Sequence, residues 1–150
     1  MPYRADQFDP LPAEVRELWA EFGNWNRTYF PTHLGIRLEE LRRDYARMRL
    51  PYRPELEQPA GVMHGGAIAS LIDTVVVPAI GSHYDEFRPL LTVDMQVRYL
   101  ASISGEDAVA EGWIAKRGSS IVFCDAEVST PSGTLVATGT LVYKIGRLGG

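Results

Sequence analysis

The chain is poor in cysteine and has no long apolar run, and both absences limit what it can be. Its one cysteine, Cys124, excludes an intrachain disulfide framework and fits a reducing compartment. Cys124 falls in the strand-like run Ile121-Val122-Phe123-Cys124, which favours buried packing over a reactive thiol. No stretch approaches the ~20 apolar residues that span a bilayer, and no apolar signal segment follows Met1. We therefore expect a cytoplasmic protein with no membrane partner.

Positive charge, histidine and short catalytic motifs are also scarce. The net charge of -4 argues against a nucleic-acid-binding surface. The three histidines (His33, His64 and His83) and Cys124 lack the close spacing of a zinc site, so we expect no metal. There is no Gly-x-Ser-x-Gly elbow, which argues against an α/β-hydrolase, and no phosphate-binding loop.

What the chain does contain is the composition of a folded protein. Its 150 residues suit one domain with a sizeable core. Apolar residues make up 45% of the chain and charged residues 23%, whereas a disordered chain would contain fewer apolar residues. No internal repeat or linker divides the sequence, so we predict a single domain over residues 1–150.

Periodicity predicts a helix, two strands, a long helix and four strands, in that order. The first helix starts near Asp9-Pro10-Leu11-Pro12 and reaches about residue 22. The strands are predicted at residues 34–41, 45–50, 92–99, 108–116, 121–129 and 135–144. In the third strand, one face is predicted to carry Val93, Met95, Val97 and Tyr99, and the other Thr92, Asp94, Gln96 and Arg98. The last four strands follow one another through short turns, which predicts an antiparallel meander.

The long helix determines the predicted fold class. Residues 65–77 are apolar nearly all round, as in a helix that is buried on every side. Such a helix needs a sheet wrapped around it, so we predict an α+β domain with one curved antiparallel sheet around a central helix. Residues 1–33 would form a helical extension and residues 34–145 the core. Pro78 removes a hydrogen bond to the Thr74 carbonyl, which predicts a kink, or a helix that restarts before Gly81.

A single carboxylate, Asp73, interrupts this apolar helix. Burying an ionised carboxylate without partners costs several kcal/mol, so its presence needs an explanation. Asp73 either makes a structural hydrogen bond to a neighbouring backbone group or acts as a catalytic acid, base or nucleophile. Taken alone, the residue leaves both interpretations open.

His64, Gly65 and Gly66 mark the start of the same helix. The two glycines expose backbone N–H groups at the positive end of a helix dipole, where a developing oxyanion is stabilised. Glycines also permit a sharp turn or close packing against a strand. The Gly-Gly pair alone favours that structural interpretation.

The spacing of His64 and Asp73 supports a stronger inference. Nine residues along a helix span roughly 13–14 Å and place the two side chains on opposite sides. The two side chains cannot meet within one chain. If both serve one site, the partner of Asp73 must come from a second subunit across a two-fold axis. Otherwise one of them has no chemical role.

The motif Gly61-x-x-His64-Gly65-Gly66, followed by Leu71-x-Asp73, resembles the hotdog-fold acyl-CoA thioesterases of the PaaI-like (phenylacetate-pathway) group. The likeness continues through residues 92–100 and through residues 126–137, which look like the last hairpin of that family. It covers about residues 35–144 and leaves out the N-terminal helical region. The His-Gly-Gly with an acid nine residues later is the most specific part.

The resemblance implies a long helix wrapped by an antiparallel sheet, and homodimers that often pair into homotetramers, with each site built across the dimer interface. It implies that Asp73 acts as nucleophile or as general base for water. It also implies that the Gly65 N–H polarises a thioester carbonyl and that His64 orients the carbonyl or the leaving group. Gln58, six residues before His64, falls where many members carry asparagine and some glutamine, an amide that positions water or substrate.

The same resemblance implies a substrate-binding set of Gly66, Lys116, Arg117, Gly118, Ser119 and Ser120. Lys116 and Arg117 would then meet the CoA phosphates, and the backbone of residues 118–120 would lie along the pantetheine arm. An ordinary solvated turn explains these residues equally well, and Ser119 stands where many relatives have a further basic residue. Because CoA belongs to the substrate, we expect no cofactor.

Together these residues predict a homo-oligomer that hydrolyses an acyl-CoA thioester to free acid and CoA. Two alternatives share the fold: a non-catalytic acyl-CoA-binding protein, and a hydratase or dehydratase that acts on an enoyl or hydroxyacyl thioester. The presence of Asp73, His64 and Gly65 together disfavours the first, and we find no motif of the second. Aromatic, short and medium-chain acyl groups all fit the sequence.

Overall fold

The computed structural model describes residues 4–147, which form one six-stranded antiparallel sheet with a long helix across one face. The strands are β1 (Arg37–Arg42), β2 (Tyr45–Leu50), β3 (Leu90–Tyr99), β4 (Ala108–Arg117), β5 (Ile121–Ser129) and β6 (Leu135–Ile145). The helices are α1 (Ala13–Ala20), α2 (Phe30–Leu34) and α3 (Gly65–Gly81), with short 3-10 turns at Arg4–Gln7 and Pro54–Leu56. The predicted fold class, an antiparallel sheet around a central helix, is confirmed.

The strand order is β1-β2-β4-β5-β6-β3, so the predicted four-stranded meander is wrong. Of the four strands in that prediction, β4, β5 and β6 are neighbours in chain order, whereas β3 pairs with β6 at one edge of the sheet and β2 pairs with β4. The cause is α3, which lies between β2 and β3 in the chain and crosses the sheet to the opposite edge. The sequence pattern of the turns between strands does not reveal that α3 carries the chain across the sheet.

α3 lies directly on the backbone of the central strands. Ten of its 17 residues are buried, whereas the side that carries Ser70, Asp73 and Val77 is only half-buried, so the helix is not buried on every side as predicted. A Cβ on Gly112 of β4 would lie 2.9 Å from Val75, and one on Gly139 of β6 would lie 2.8 Å from Ile72. These two glycines therefore set the close approach of the helix to the sheet. Within residues 4–147, neither α3 nor any other helix has the length and apolar character needed to cross a membrane.

The helix continues without a break through Pro78 to Gly81, so it does not restart there. Its last turn is held by contacts that the sequence pattern does not show. The Ser82 N–H donates to the Pro78 carbonyl (2.8 Å), and Trp19 of α1 packs so tightly on Gly81 that a Cβ would collide with its ring. Tertiary packing thus compensates for the missing proline N–H.

A β-bulge in β3 overturns part of the predicted alternation. Thr92 pairs with Tyr143 and Asp94 with the neighbouring Val142, which leaves Val93 without a partner in the ladder. Thr92 therefore shares the helix-facing side of β3 with the odd-numbered residues that follow the bulge, and Val93 is 59% exposed. Bulges are common beside active sites because they redirect a side chain. Here the bulge turns Thr92 toward α3.

The N-terminal extension contacts both faces of the sheet. Arg4 lies on the face away from α3, within 3.0 Å of the carboxylates of Glu111 and Glu127. The chain then passes the turn between β1 and β2, where the Arg43 N–H donates to the Asp9 carbonyl (2.9 Å). Beyond that point α1 packs on the helix side of the sheet.

Cys124 is buried in β5, as predicted, with 2% of its surface exposed. Burial raises the pKa of its thiol to about 12. Because the thiolate is the reactive form of cysteine, a thiol with this pKa is a core residue and not a nucleophile.

Candidate active site

The loop before α3 delivers His64 to the helix start in a fixed orientation. The His64 N–H donates to the Leu56 carbonyl (2.7 Å). As the N-cap residue, His64 accepts a hydrogen bond at Nδ1 from the Gly66 N–H (2.8 Å). A neutral imidazole that accepts at Nδ1 carries its proton on Nε2. The exposed His64 ring therefore offers an N–H donor to a molecule at the helix start.

Gly65 provides a second donor beside this imidazole. Its backbone N–H finds no acceptor within residues 4–147, as is usual in the first turn of a helix. The Tyr99 hydroxyl donates to the Gly65 carbonyl (2.6 Å), and a Cβ on Gly65 would lie 3.3 Å from that hydroxyl. Glycine thus allows Tyr99 to hold the first turn. The free N–H, at the positive end of the α3 dipole, is suited to bind a negatively charged oxygen.

Nine residues after His64, Asp73 is half-buried and accepts two hydrogen bonds at Oδ1. The donors are Thr92 Oγ1 of β3 (2.8 Å) and the Tyr143 hydroxyl of β6 (2.6 Å). Both donors are side chains, whereas the structural interpretation required a backbone group. Asp73 Oδ2 makes no hydrogen bond to any residue that the structure describes. A carboxylate held by one oxygen with the other free can take a proton or attack a carbon atom.

Tyr143 keeps its proton under all ordinary conditions. The residue is 2% exposed, and burial, together with the hydrogen bond to the Asp73 carboxylate, raises the pKa of its hydroxyl above the usual range. The phenol can therefore only donate to the carboxylate at neutral pH.

The two halves of the site are attached to opposite ends of β3. Tyr99, the last residue of the strand, contacts the helix start, whereas Thr92, near its beginning, contacts Asp73. The Gly65 N–H and the Asp73 carboxylate are therefore held apart within one chain, as their spacing along the helix requires.

A cleft of about 360 Å³ opens beside Gly65. It is lined by Met63, Gly65, Ile68, Tyr99, Leu100, Ala101 and Ser102. Its largely apolar wall, next to a free N–H, suits an apolar group that carries a carbonyl. A larger cleft of about 790 Å³, between α1 and β1, contains none of the predicted site residues.

Gln58 lies in the turn that precedes His64. Its side-chain Oε1 accepts a hydrogen bond from the Ala60 N–H (2.6 Å), and its backbone N–H donates to the Val62 carbonyl (2.9 Å). The side-chain oxygen therefore stabilises the loop itself. The side-chain NH2 group is left to interact with water or a ligand.

The turn between β4 and β5 places its two basic residues differently. The Arg117 guanidinium turns inward, donating to Asp44 Oδ1 (2.7 Å) and to the Ile80 carbonyl (3.1 Å), and its side chain is 16% exposed. Lys116 and residues 118–120 are exposed. Of the two predicted phosphate-binding side chains, Lys116 is the one presented to solvent.

The histidines are spread over the molecule. His33 lies in α2, and His83 follows α3. Partial burial, together with the nearby charge of Arg117, lowers the pKa of the His83 imidazole. In the described part of the chain, no three His, Cys, Asp or Glu side chains lie close enough to hold a metal ion.

The same span of sequence that carries His64, Gly65 and Asp73 matches a known family. Residues 60–137 match the family model of the thioesterase superfamily. The chain belongs to the thioesterase superfamily. A putative esterase from Halobacterium salinarum is 32% identical over 119 residues, which cover 76% of this chain and 78% of the relative. The medium/long-chain acyl-CoA thioesterase YigI of Escherichia coli is 26% identical over 132 residues, which cover 78% and 85%.

Solved structures share the fold of this chain. The E. coli PaaI protein of the phenylacetic acid degradation operon superposes with a TM-score of 0.80 at 18% identity, covering 93% of this chain and 97% of that one. The conserved protein PA5202 of Pseudomonas aeruginosa gives a TM-score of 0.74 at 26% identity, covering 79% and 94%. The predicted resemblance to PaaI-like hotdog thioesterases is confirmed, and the chain is a thioester hydrolase.

In this thioesterase, the observed orientation of His64 is possible only with a glycine at position 66. A Cβ on Gly66 would lie 2.9 Å from His64 Nδ1 and 3.1 Å from Cε1. We expect Gly66→Ala to displace the imidazole and to lower kcat/KM by about 100-fold. Folding should be unaffected, because alanine favours the helix. Steady-state kinetics and circular dichroism measure the two effects, and a folded variant with unchanged kcat/KM would contradict this role.

Three residues of the thioesterase site, Thr92, Tyr99 and Tyr143, are not found by reasoning from the sequence. The predicted alternation places Thr92 on the face opposite to Tyr99, and Tyr99 is 51% exposed, so neither residue gives a signal. For Tyr143 the available signal is the hydroxyl group, because a buried tyrosine needs a hydrogen-bond partner. Here that partner is Asp73.

Proposed function

We propose that this chain hydrolyses an acyl-CoA thioester to a free carboxylic acid and CoA, at two sites that form across the interface of a homodimer. The attachment of Asp73 and Gly65 to opposite ends of one edge strand is the observation that carries the proposal. The name of the E. coli relative, a medium/long-chain acyl-CoA thioesterase, supports the substrate class. CoA is part of the substrate, so the reaction needs no cofactor.

The free edge of β3 would form the interface between the two chains. β3 is an edge strand of ten residues and is bonded to β6 on one side only. Its residues Leu91 and Val93 are 60% and 59% exposed, and Leu100 just beyond it is 56% exposed. A long, apolar edge of this kind is a template for another strand. In a two-fold dimer the two β3 strands would run antiparallel.

Antiparallel pairing of β3 would complete each site. A two-fold axis at the centre of the strand places a residue near one end opposite a residue near the other end. Thr92 of one strand then lies opposite Tyr99 of the other strand. Asp73, which is bonded to Thr92, would meet the Gly65 N–H of the second chain, whose carbonyl is bonded to Tyr99.

These groups would perform the hydrolysis as follows. Asp73 removes a proton from water as the water oxygen attacks the thioester carbon, or Asp73 attacks that carbon itself. The Gly65 N–H stabilises the resulting oxyanion, a contribution of about 3–4 kcal/mol for donors of this kind. His64 Nε2–H orients the carbonyl or the leaving sulfur. In the general-base route, the C–S bond then breaks, and the CoA thiolate takes the proton held by Asp73. In the nucleophilic route, breakage of the C–S bond releases the CoA thiolate and leaves an anhydride between the acyl group and Asp73. Water then cleaves this anhydride to the free acid and the Asp73 carboxylate, and the thiolate takes the released proton.

The remaining predicted residues would bind substrate around this centre. Gln58 would position water or the thioester through its free NH2 group, and Gly66 would lie against the substrate at the helix start. Lys116 would meet a CoA phosphate, and the backbone of residues 118–120 the pantetheine arm. Arg117 would support this turn through its ion pair with Asp44.

Two dimers would pair into a homotetramer in this proposal. The sheet face away from α3 carries Phe123, which is 45% exposed, and is available for such a contact. This pairing would leave the two sites at each β3 interface unchanged.

A panel of aromatic, short-chain, medium-chain and long-chain acyl-CoA esters tests the proposal by the release of free CoA. We expect hydrolysis with a preference for one class of at least about tenfold, because each extra buried methylene contributes about 1 kcal/mol or more. Tight binding without CoA release would contradict the proposal and identify an acyl-CoA-binding protein. Reversible addition of water to an enoyl-CoA would identify a hydratase.

A further inference from the structure

We infer that Tyr143 is a positioning residue for Asp73. Its hydroxyl holds one oxygen of the Asp73 carboxylate, and it keeps a hydrogen-bond acceptor when that carboxylate loses its charge. The inference rests on the proposed role of Asp73 in hydrolysis. It concerns a residue that the substrate does not touch, because Tyr143 is buried in the core beneath α3.

The Tyr143 hydroxyl has two acceptors at equal distance. It lies 2.6 Å from Asp73 Oδ1 and 2.6 Å from the Asp73 backbone carbonyl oxygen. A phenol has one proton, so it donates fully to one acceptor at a time. An ionised carboxylate is the stronger acceptor, and the hydroxyl therefore donates to Oδ1 while Asp73 is charged.

The second acceptor becomes important during the reaction. When Oδ2 takes a proton from water, or forms a bond to the acyl carbon, the negative charge leaves the carboxylate. The hydroxyl proton can then turn to the backbone carbonyl without movement of any heavy atom. The buried phenol stays satisfied in both states, so the reaction leaves no unpaired polar group in the core.

Thr92 does not supply this function by itself. Its hydroxyl lies 2.8 Å from Asp73 Oδ1 and has no second acceptor among the residues that the structure describes. The enclosed Tyr143 hydroxyl reaches both Oδ1 and the backbone carbonyl of Asp73. The other titratable group that acts on this phenol is Cys124 of β5, and burial keeps that thiol protonated at neutral pH. The charge of Asp73 thus determines which acceptor the Tyr143 hydroxyl donates to.

Tyr143→Phe tests the inference, since it removes the hydroxyl and keeps the ring. We expect kcat to fall by about tenfold or more, as for loss of a hydrogen bond to a charged group, with KM nearly unchanged. The acidic limb of the kcat pH profile should move to higher pH by about one unit, because a carboxylate that loses a donor is harder to ionise.

Tyr45→Phe is the matched control. Tyr45 is also a buried phenol, and its hydroxyl lies 2.6 Å from the Glu111 carboxylate on the other face of the sheet. Its loss removes the same kind of hydrogen bond far from the site. The control should leave the pH profile of turnover in place even if its thermal stability falls.

Three outcomes separate this inference from the proposal beneath it. A Tyr143→Phe enzyme with the wild-type rate and pH profile would overturn the inference, whereas full activity of Asp73→Asn would overturn the proposed function itself. If Tyr143→Phe fails to fold, a variant with a ring-fluorinated tyrosine at position 143 is measured instead. Its hydroxyl is a stronger hydrogen-bond donor, and its side chain has nearly the same shape. That enzyme should show an acidic limb at lower pH, and an unmoved limb would refute the role of Tyr143.

Discussion

Asp73→Asn should lower kcat by about 10³-fold while the protein stays folded. Asparagine has almost the shape of aspartate, and its side-chain oxygen can still accept from Thr92 and Tyr143, so the local structure is kept. It can neither take a proton from water nor attack the thioester carbon. The release of CoA from the best substrate of the panel measures the effect.

Asp125→Asn is the control for this experiment. Asp125 is a half-buried aspartate of β5, on the sheet face away from α3, and it takes no part in the proposed site. The control should keep wild-type turnover. If Asp73→Asn is folded, by circular dichroism and gel filtration, and yet turns over within tenfold of wild type, Asp73 is not the reacting group.

Two inactive variants should restore each other's activity when their subunits are mixed. Asp73→Asn and His64→Ala each damage both sites of their own homodimer. A mixed dimer holds one intact site, with Asp73 from one chain and His64 from the other. Half of the dimers in an equal, fully exchanged mixture are mixed, so we expect about a quarter of wild-type activity. Co-refolding followed by the CoA-release assay gives the measurement.

A double variant mixed with wild type provides a second test of whether each site is built from two chains. When Asp73→Asn/His64→Ala is mixed equally with wild type, a shared site predicts about a quarter of full activity, because every mixed dimer is dead. A site contained in one chain predicts about half, because each wild-type subunit works alone. Half activity here, with no recovery in the first mixture, would show that each site lies within a single chain.

The parts of this molecule that the sequence predicts are those that local pattern determines. The apolar pattern of α3 predicts a long and largely buried helix, and the run from His64 to Gly66 predicts its start. The nine-residue interval to Asp73 predicts the separation of the two halves of the site. None of these depends on which strands pair.

The parts that escape prediction depend on contacts between distant segments. Thr92-Val93-Asp94-Met95 alternates without fault in the sequence, yet the bulge at Val93 turns Thr92 toward α3 because of pairing with β6. Arg117 reads as a basic residue of an exposed turn, but Asp44, far earlier in the chain, draws it inward. The strand order likewise depends on where α3 delivers β3.

The N-terminal extension makes the two edges of the sheet unequal. At β1, the Arg42 guanidinium and the Arg43 N–H bind the carbonyls of Phe8 and Asp9, and a bulge between Leu38 and Glu40 bends the strand. A sheet with two open edges can add copies without limit and grow into a fibre, whereas a sheet with one open edge stops after a single addition. In the proposed assembly, Phe8 and Asp9, remote from any chemistry, would thereby favour edge-to-edge contact on the β3 side of the sheet.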